Sequence, residues 1–204
     1  MQIEIPSKVP AMILPNITLF PGMILPLYIF EPRYREMLAD ALAGNRMFAV
    51  AMQDPDPGPH ERPVDVGCLG LVRACVDNAD GTSNLFLQGI VRVIVKASDH
   101  AAGYPMLEIE PVAPPLEASI KSEALAIKVK ELVNERFLGV IDEAPDLSEM
   151  RPQLADAIAS VDSPAQLADM VTYALIPDPA RKQELLETLS IEDRLDKLIH
   201  FLLE

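Results

Sequence analysis

The sequence predicts an α+β protein, with a β-rich part over residues 1–117 and a helical part over residues 118–204, and three observations carry that expectation. Of 19 prolines, 14 precede Ala118 and 5 follow it. Proline has no N–H to give to a helix, so it crowds into turns and strand edges. Second, Val9 to Phe30 carries no charged side chain. By length and polarity it would pass for a membrane span, but Pro15, Pro21 and Pro26 would each leave backbone groups unpaired in lipid, so it reads as core strand, turn, core strand. Third, helix starts are legible late in the chain: Ser163-Pro164-Ala165-Gln166, Asp178-Pro179 and Ser190-Ile191-Glu192-Asp193 each place a capping side chain at the N-terminus, two of them followed by a first-position proline.

In chain order, Ala11–Leu14 reads as the first strand, Asn16–Gly22 as the crossing, and Ile24–Phe30 as a second strand whose unbroken apolar run predicts burial on both faces. Pro32 suits the first position of a helix, with Glu31 at the positive end of its dipole and Gly44-Asn45 as its stop. Met47–Met52 reads as a short buried strand, and the proline-rich segment 54–63 as a surface loop. Val66–Val76 and Asn84–Val95 form a hairpin around Asp77–Gly81. That turn fails as a calcium loop, because Val76 and Leu87 fall at the first and twelfth ligand positions. Gly89, inside a strand, signals a bulge or a close backbone approach. Tyr104–Val112 alternates as a half-exposed strand. A long amphipathic helix follows over Ser119–Leu138, then a helix near Pro152–Ser160, and the last helices carry Leu185, Leu186 and Leu189, then Leu195, Leu198, Ile199 and Leu202, on single apolar faces.

Phe20-Pro21-Gly22, Leu25-Pro26-Leu27, Ile29-Phe30-Glu31-Pro32-Arg33-Tyr34 and Met37-Leu38 resemble the opening signature of the Lon N-terminal domain family. The likeness continues in Gly67-Cys68-Leu69-Gly70, Asp80-Gly81-Thr82, Gly89-Ile90-Val91-Arg92-Val93 and Glu108-Ile109-Glu110-Pro111, and again in Lys182–Glu187 and Arg194-Leu195. The resemblance implies a small, curved, PUA-like β-barrel followed by a helical subdomain, in a free-standing, non-catalytic relative of the region that engages unfolded or degron-bearing polypeptide ahead of the Lon ATPase.

The side-chain chemistry points the same way. There is no phosphate loop of the Gly-x-x-x-x-Gly-Lys-Ser/Thr kind and no His-Glu-x-x-His, and His60, His100 and His200 lie far apart without ligand spacing, so no catalytic, cofactor or metal residues are expected. Cys68 and Cys75, seven apart on one strand, should face opposite sides and behave as small apolar side chains. The formal charge of −14, from 31 acidic and 17 basic residues, opposes nucleic acid and anionic membrane as partners. The cysteine usage, and an N-terminus without secretory-signal pattern, fit a cytoplasmic protein. Two expectations concern named side chains. Glu31 and Arg92, charged positions beside apolar strands, should pair. Phe20 and Met23, flanking the Pro21-Gly22 turn, are the candidate contacts for an extended peptide. The competing functions are nucleic-acid binding, by analogy with other PUA-like barrels, and a small-molecule enzyme whose site assembles only in three dimensions.

Overall fold

The structure is a computed structural model describing residues 4–56, 61–113, 118–138 and 150–204. The chain divides into two compact units, Met1–Pro114 and Pro115–Glu204.

The first unit contains β1 (Lys8–Leu14), β2 (Ile24–Ile29), α1 (Pro32–Ala43), β3 (Met47–Met52), β4 (Val66–Asp77), β5 (Ser83–Asp99) and β6 (Met106–Pro111). They form one mixed sheet in the order β2-β5-β4-β3-β1-β6. A further β5–β6 pairing closes that sheet on itself and leaves β2 outside the ring, paired to β5. β1 and β3 run parallel, from Ala11↔Ala49 to Leu14↔Met52, which requires the crossover that β2 and α1 supply. The other pairings are antiparallel.

β3 is buried along its whole length because it has a core on each side. Phe48 and Val50 join Met12, Leu19, Tyr34, Met37, Leu85 and Leu87 on the side that α1 covers. Ala49 and Ala51 join Val9, Leu69, Val93, Leu107 and Ile109 on the other. β5, 17 residues long, belongs to three ladders: Ser83–Gln88 pairs with β2, most of its length with β4, and Val93–Asp99 with β6. The strand changes partners around Gly89, where the β4 register slips between Leu69 and Gly70. A Cβ on Gly89 would run into the carbonyl of Phe20 and come within 3.2 Å of the Cys68 sulfur, so the close backbone approach expected there is real.

Two expectations need correcting. The apolar run of β2 does not mean burial on both faces. Leu25, Leu27 and Ile29 pack on the core, while Ile24, Tyr28 and the following Phe30 are exposed, because an outer strand has a core beneath one face only. Nor do Cys68 and Cys75 face opposite sides. β4 carries one extra residue between Val72 and Ala74, opposite Leu87 and Phe86, and this bulge restores parity so that both cysteines pack against the same cluster. Both are free thiols, and among the described residues no group of three metal-ligating side chains forms.

The second unit contains α2 (Ile120–Leu132), running on into a π-helical stretch Val133–Leu138, then α3 (Met150–Ala159), α4 (Pro164–Leu175), α5 (Pro179–Glu187) and α6 (Ile191–Leu203). The caps are built as the sequence implies: the Ser163 hydroxyl accepts from Gln166 N, Asp178 from Ala180 and Arg181 N, and Ser190 from Asp193 N. Val129, Leu167, Val171, Leu185, Leu195 and Leu198 form the core. Inside it lies a pair not anticipated from the sequence: Arg194 reaches Asp169 at 3.2 Å with both side chains 4% exposed. The same guanidinium donates to the carbonyls of Thr188 and Leu189, which satisfies the chain end that follows α5. No helix among the described residues is long and apolar enough to cross a membrane.

Candidate recognition face

The site is best assembled from β2 outward. Along a strand, alternate side chains share a face, so Ile24, Pro26 and Tyr28, together with Phe30 just beyond the strand, point away from the core. In the ladder to β5 they stand opposite Gln88, Phe86 and Asn84. On β4, Ala74 and Val76 continue the same surface. This face is apolar although nothing described covers it: Ile24 is 42% exposed, Tyr28 52%, Phe30 58%, Phe86 53% and Val76 65%. The rings of Tyr28 and Phe30 stack at 5.8 Å between centroids, 25° apart. Pro26, Tyr28, Ala74, Val76 and Phe86 line a shallow groove of about 340 Å³, at the lower end for small-molecule sites but continuous with the open sheet surface.

The far edge of β2 is the second part of the site. Pro26 has no N–H, so its pair with Phe86 is of the non-hydrogen-bonded kind, and the backbone groups of Pro26 and Tyr28 turn outward. Among the described residues no strand pairs there. Beyond that edge a cleft of about 270 Å³ runs to Met12, Leu14, Ile17 and Tyr34. Its floor is held by an unusual anchor. β6 accompanies β1 only from Lys8 to Pro10, and further along the strand the Tyr34 hydroxyl accepts from Ile13 N at 3.3 Å and donates to Ile13 O at 3.1 Å. One phenol on α1 thus replaces the missing strand. Burial pushes the Tyr34 hydroxyl up to about 12.

Arg33 stands at the rim with its guanidinium 4.5 Å from the centre of the Tyr34 ring. It binds Glu61 at 2.6 Å and Glu31 at 3.0 Å. Burial lowers the pKa of this guanidinium, and the hydrogen bonds to Glu61 and Glu31 outweigh that and raise it. Glu31 gives its carboxylate to Arg33, where the sequence had led to the expectation of a pair with Arg92. It ends the turn before α1 with its side chain in reach of water, two residues from a guanidinium that can fold back onto it. Arg92 is buried, 5.9 Å from the centre of the Phe20 ring. Phe20 likewise lies fully inside the core, held by a turn whose Gly22 N–H donates to Gly89 O, so it offers no surface to a peptide. Met23 keeps part of its surface at the entry to β2. His100 and His200 are exposed, and His60 lies outside the described residues.

A closed mixed sheet and one exposed apolar outer face beside the edge strand β2 make a surface with the character of an interaction site. Comparison with known proteins gives the chain a family. The chain belongs to the family described as the ATP-dependent protease La (LON) substrate-binding domain, which it matches over residues 8–204. It is 25% identical to the Lon protease of Dictyoglomus thermophilum over 98% of this chain and 24% of the relative, and 31% identical to Lon protease 1 of Myxococcus xanthus over 93% of this chain and 23% of the relative. The chain thus spans about a quarter of the length of these relatives. Among solved structures, the N-terminal domain of a Mycobacterium avium complex Lon protease superposes with a TM-score of 0.76 at 24% identity, covering 97% of this chain and 98% of that one. A Lon N-terminal domain protein from Xanthomonas campestris gives 0.67 at 19% identity, covering 96% and 98%. These two likenesses speak for the fold.

Proposed function

We propose that the protein is a non-catalytic recognition module that holds unfolded or extended polypeptide, with the outer face of β2, β5 and β4 as its contact surface. The carrying observation is the exposure of Tyr28, Phe30, Phe86 and Val76 on one side of a sheet, beside its edge strand β2. Exposed apolar patches mark interaction sites, and an extended chain can lie along such an edge with its alternate side chains on the face. Membership of a family described by substrate binding supports this assignment. Met23 remains a candidate contact at the start of the face. The closed sheet with its helical companion is read as a PUA-like barrel and C-terminal helical subdomain, divided at 1–117 and 118–204. A role as an adaptor, a cytoplasmic site of action and indifference to nucleic acid belong to the same proposal, the last supported by the charge of −14.

Fluorescence anisotropy with labelled extended apolar peptides tests it. Micromolar binding, about −8 kcal/mol, is expected, together with loss of binding in Tyr28→Ser and Phe86→Ser proteins of unchanged circular dichroism. If no peptide binds below about millimolar, the proposal fails. The purified protein should also neither hydrolyse ATP nor degrade casein, and turnover abolished by a point change in this chain would refute the non-catalytic assignment.

A further inference from the structure

We infer that, when no polypeptide is bound, the outer face of β2, β5 and β4 is covered by a second copy of this chain, in a reversible dimer about a twofold axis. The dimer stands apart from the polypeptide-recognition assignment above; where both hold, peptide and second copy compete for one surface. Shape is the first support. A twofold contact needs a single surface that carries both a projection and a matching recess, because whatever one copy inserts it must also receive. Phe30 is the projection, 58% exposed and stacked on Tyr28. The groove of about 340 Å³ that starts at Tyr28 and is walled by Pro26, Val76 and Phe86 is the recess. An apolar cavity of about 150 Å³ already takes up a benzene ring, so the groove has room for a phenyl group.

Area is the second support. An aromatic side chain buries about 150–250 Å² when covered, and Tyr28, Phe30 and Phe86 each leave about half of their surface in water. With the exposed parts of Ile24 and Val76, each copy offers roughly 350–450 Å² of apolar surface, and two copies roughly 700–900 Å². Homodimer interfaces are about 65% apolar, so this corresponds to roughly 1,100–1,400 Å² buried in all. That clears the area of about 1,000 Å² a specific contact needs and falls well short of an obligate interface, hence a weak dimer.

Charge near the face is balanced. Glu31 and Glu61 are engaged with Arg33, Asp77 accepts from the Ser83 hydroxyl, Asp80 is set against Arg35, and Arg73 is bonded to Gln88. The contact therefore relies on apolar area and not on ion pairs. At longer range two chains of −14 repel, and since salt screens that repulsion, the dimer should tighten as salt rises.

Sedimentation equilibrium of the whole protein tests it. Half-dimerisation is expected at about 10–100 µM in about 0.15 M salt, and at a lower concentration in about 1 M salt. Phe30→Ser, Phe86→Ser and Val76→Ser, each checked by circular dichroism, should weaken association about tenfold or more, whereas Leu203→Ser, which removes an exposed apolar side chain of α6, should leave it unchanged. A labelled extended apolar peptide that binds should shift the protein toward monomer. A protein that stays monomeric at about 300 µM in about 1 M salt overturns the inference, and so does a dimer indifferent to all three face variants. In both cases peptide binding read by anisotropy leaves the polypeptide assignment standing. A dimer lost in the face variants, with no peptide bound below about millimolar, upholds this inference and ends that assignment.

Discussion

Removing a single oxygen atom, in Tyr34→Phe, isolates the contribution of the phenol that stands in for a strand. The ring is 2% exposed and keeps its packing against Met37, Leu38 and Phe48 and its contact with Arg33, so the change is confined to the hydroxyl. That hydroxyl serves both backbone groups of Ile13. Ile13 is itself 1% exposed, so its backbone groups lie away from bulk water. An orphaned buried polar group costs about 1–3 kcal/mol. The 3.3 Å bond from Ile13 N is long and belongs at the low end, which places the sum for both groups near 3 kcal/mol. Urea unfolding of the full chain, followed by circular dichroism and by a probe in the first unit, should show a fall of about 2–4 kcal/mol at unchanged m-value. Alkaline titration adds a second signature. Because the folded pKa of Tyr34 is raised to about 12 from the ordinary 10, its contribution is complete below pH 10 and is lost as pH rises toward 12. Tyr104, raised to about 12 by burial and its bond to Asp40, contributes in the same window, so Tyr34→Phe should reduce that decline and leave part of it. A loss below about 0.5 kcal/mol would show that Ile13 does not depend on the phenol.

Further outcomes follow from other contacts. Gly89→Ala should cost about 1–3 kcal/mol, since the new methyl meets backbone at Phe20 that cannot swing aside, and thermal melting reads it directly. Asp169→Ala and Arg194→Ala should each cost about 3–5 kcal/mol, and the double variant less than their sum in a denaturation cycle, whereas additivity would dissolve the pair. Glu31→Ala should move stability by less than about 1 kcal/mol, because both it and Arg33 are more than one-third exposed, and a larger loss would mean that the carboxylate has a heavier structural duty than this surface pair.

Much of the architecture was legible because local chemistry and tertiary placement agree. Pro32 at a helix start, Ser163, Asp178 and Ser190 as caps, and Met47–Met52 as a short buried strand all appear where expected. The misreadings share a cause, which is that strand parity and face coverage are tertiary properties. Nothing in Val72-Arg73-Ala74 announces the extra residue that brings Cys75 round to the side of Cys68. In Ile24–Phe30, apolarity on both faces is the same string whether the outer face meets a core or water, and here it is the excess of apolar residues over available core that marks the candidate site. The Asp169–Arg194 pair did leave a trace. Arg194 sits four residues before Leu198 on an apolar stripe and Asp169 lies between Ala168 and Val171, and a charge on each buried helix face calls for a partner.

The closure of the sheet also sets the order in which the first unit can come into being. β1 is held by β6, with Lys8 opposite Glu108 and Val9 opposite Leu107, so the ring needs residues about a hundred positions apart. During synthesis the hairpin of β4 and β5 can form as soon as Ser83–Asp99 has emerged, since its partners are near in sequence. β1 must wait for Met106–Pro111, which follow its own synthesis by roughly 5–20 seconds at about 5–20 residues per second. Through that interval the apolar stretch from Val9 to Phe30 is made but only partly housed, and the entropy of so long a closure makes the final pairing slow. A nascent chain of this protein thus displays for a time the kind of sticky, extended segment that its finished outer face is proposed to hold.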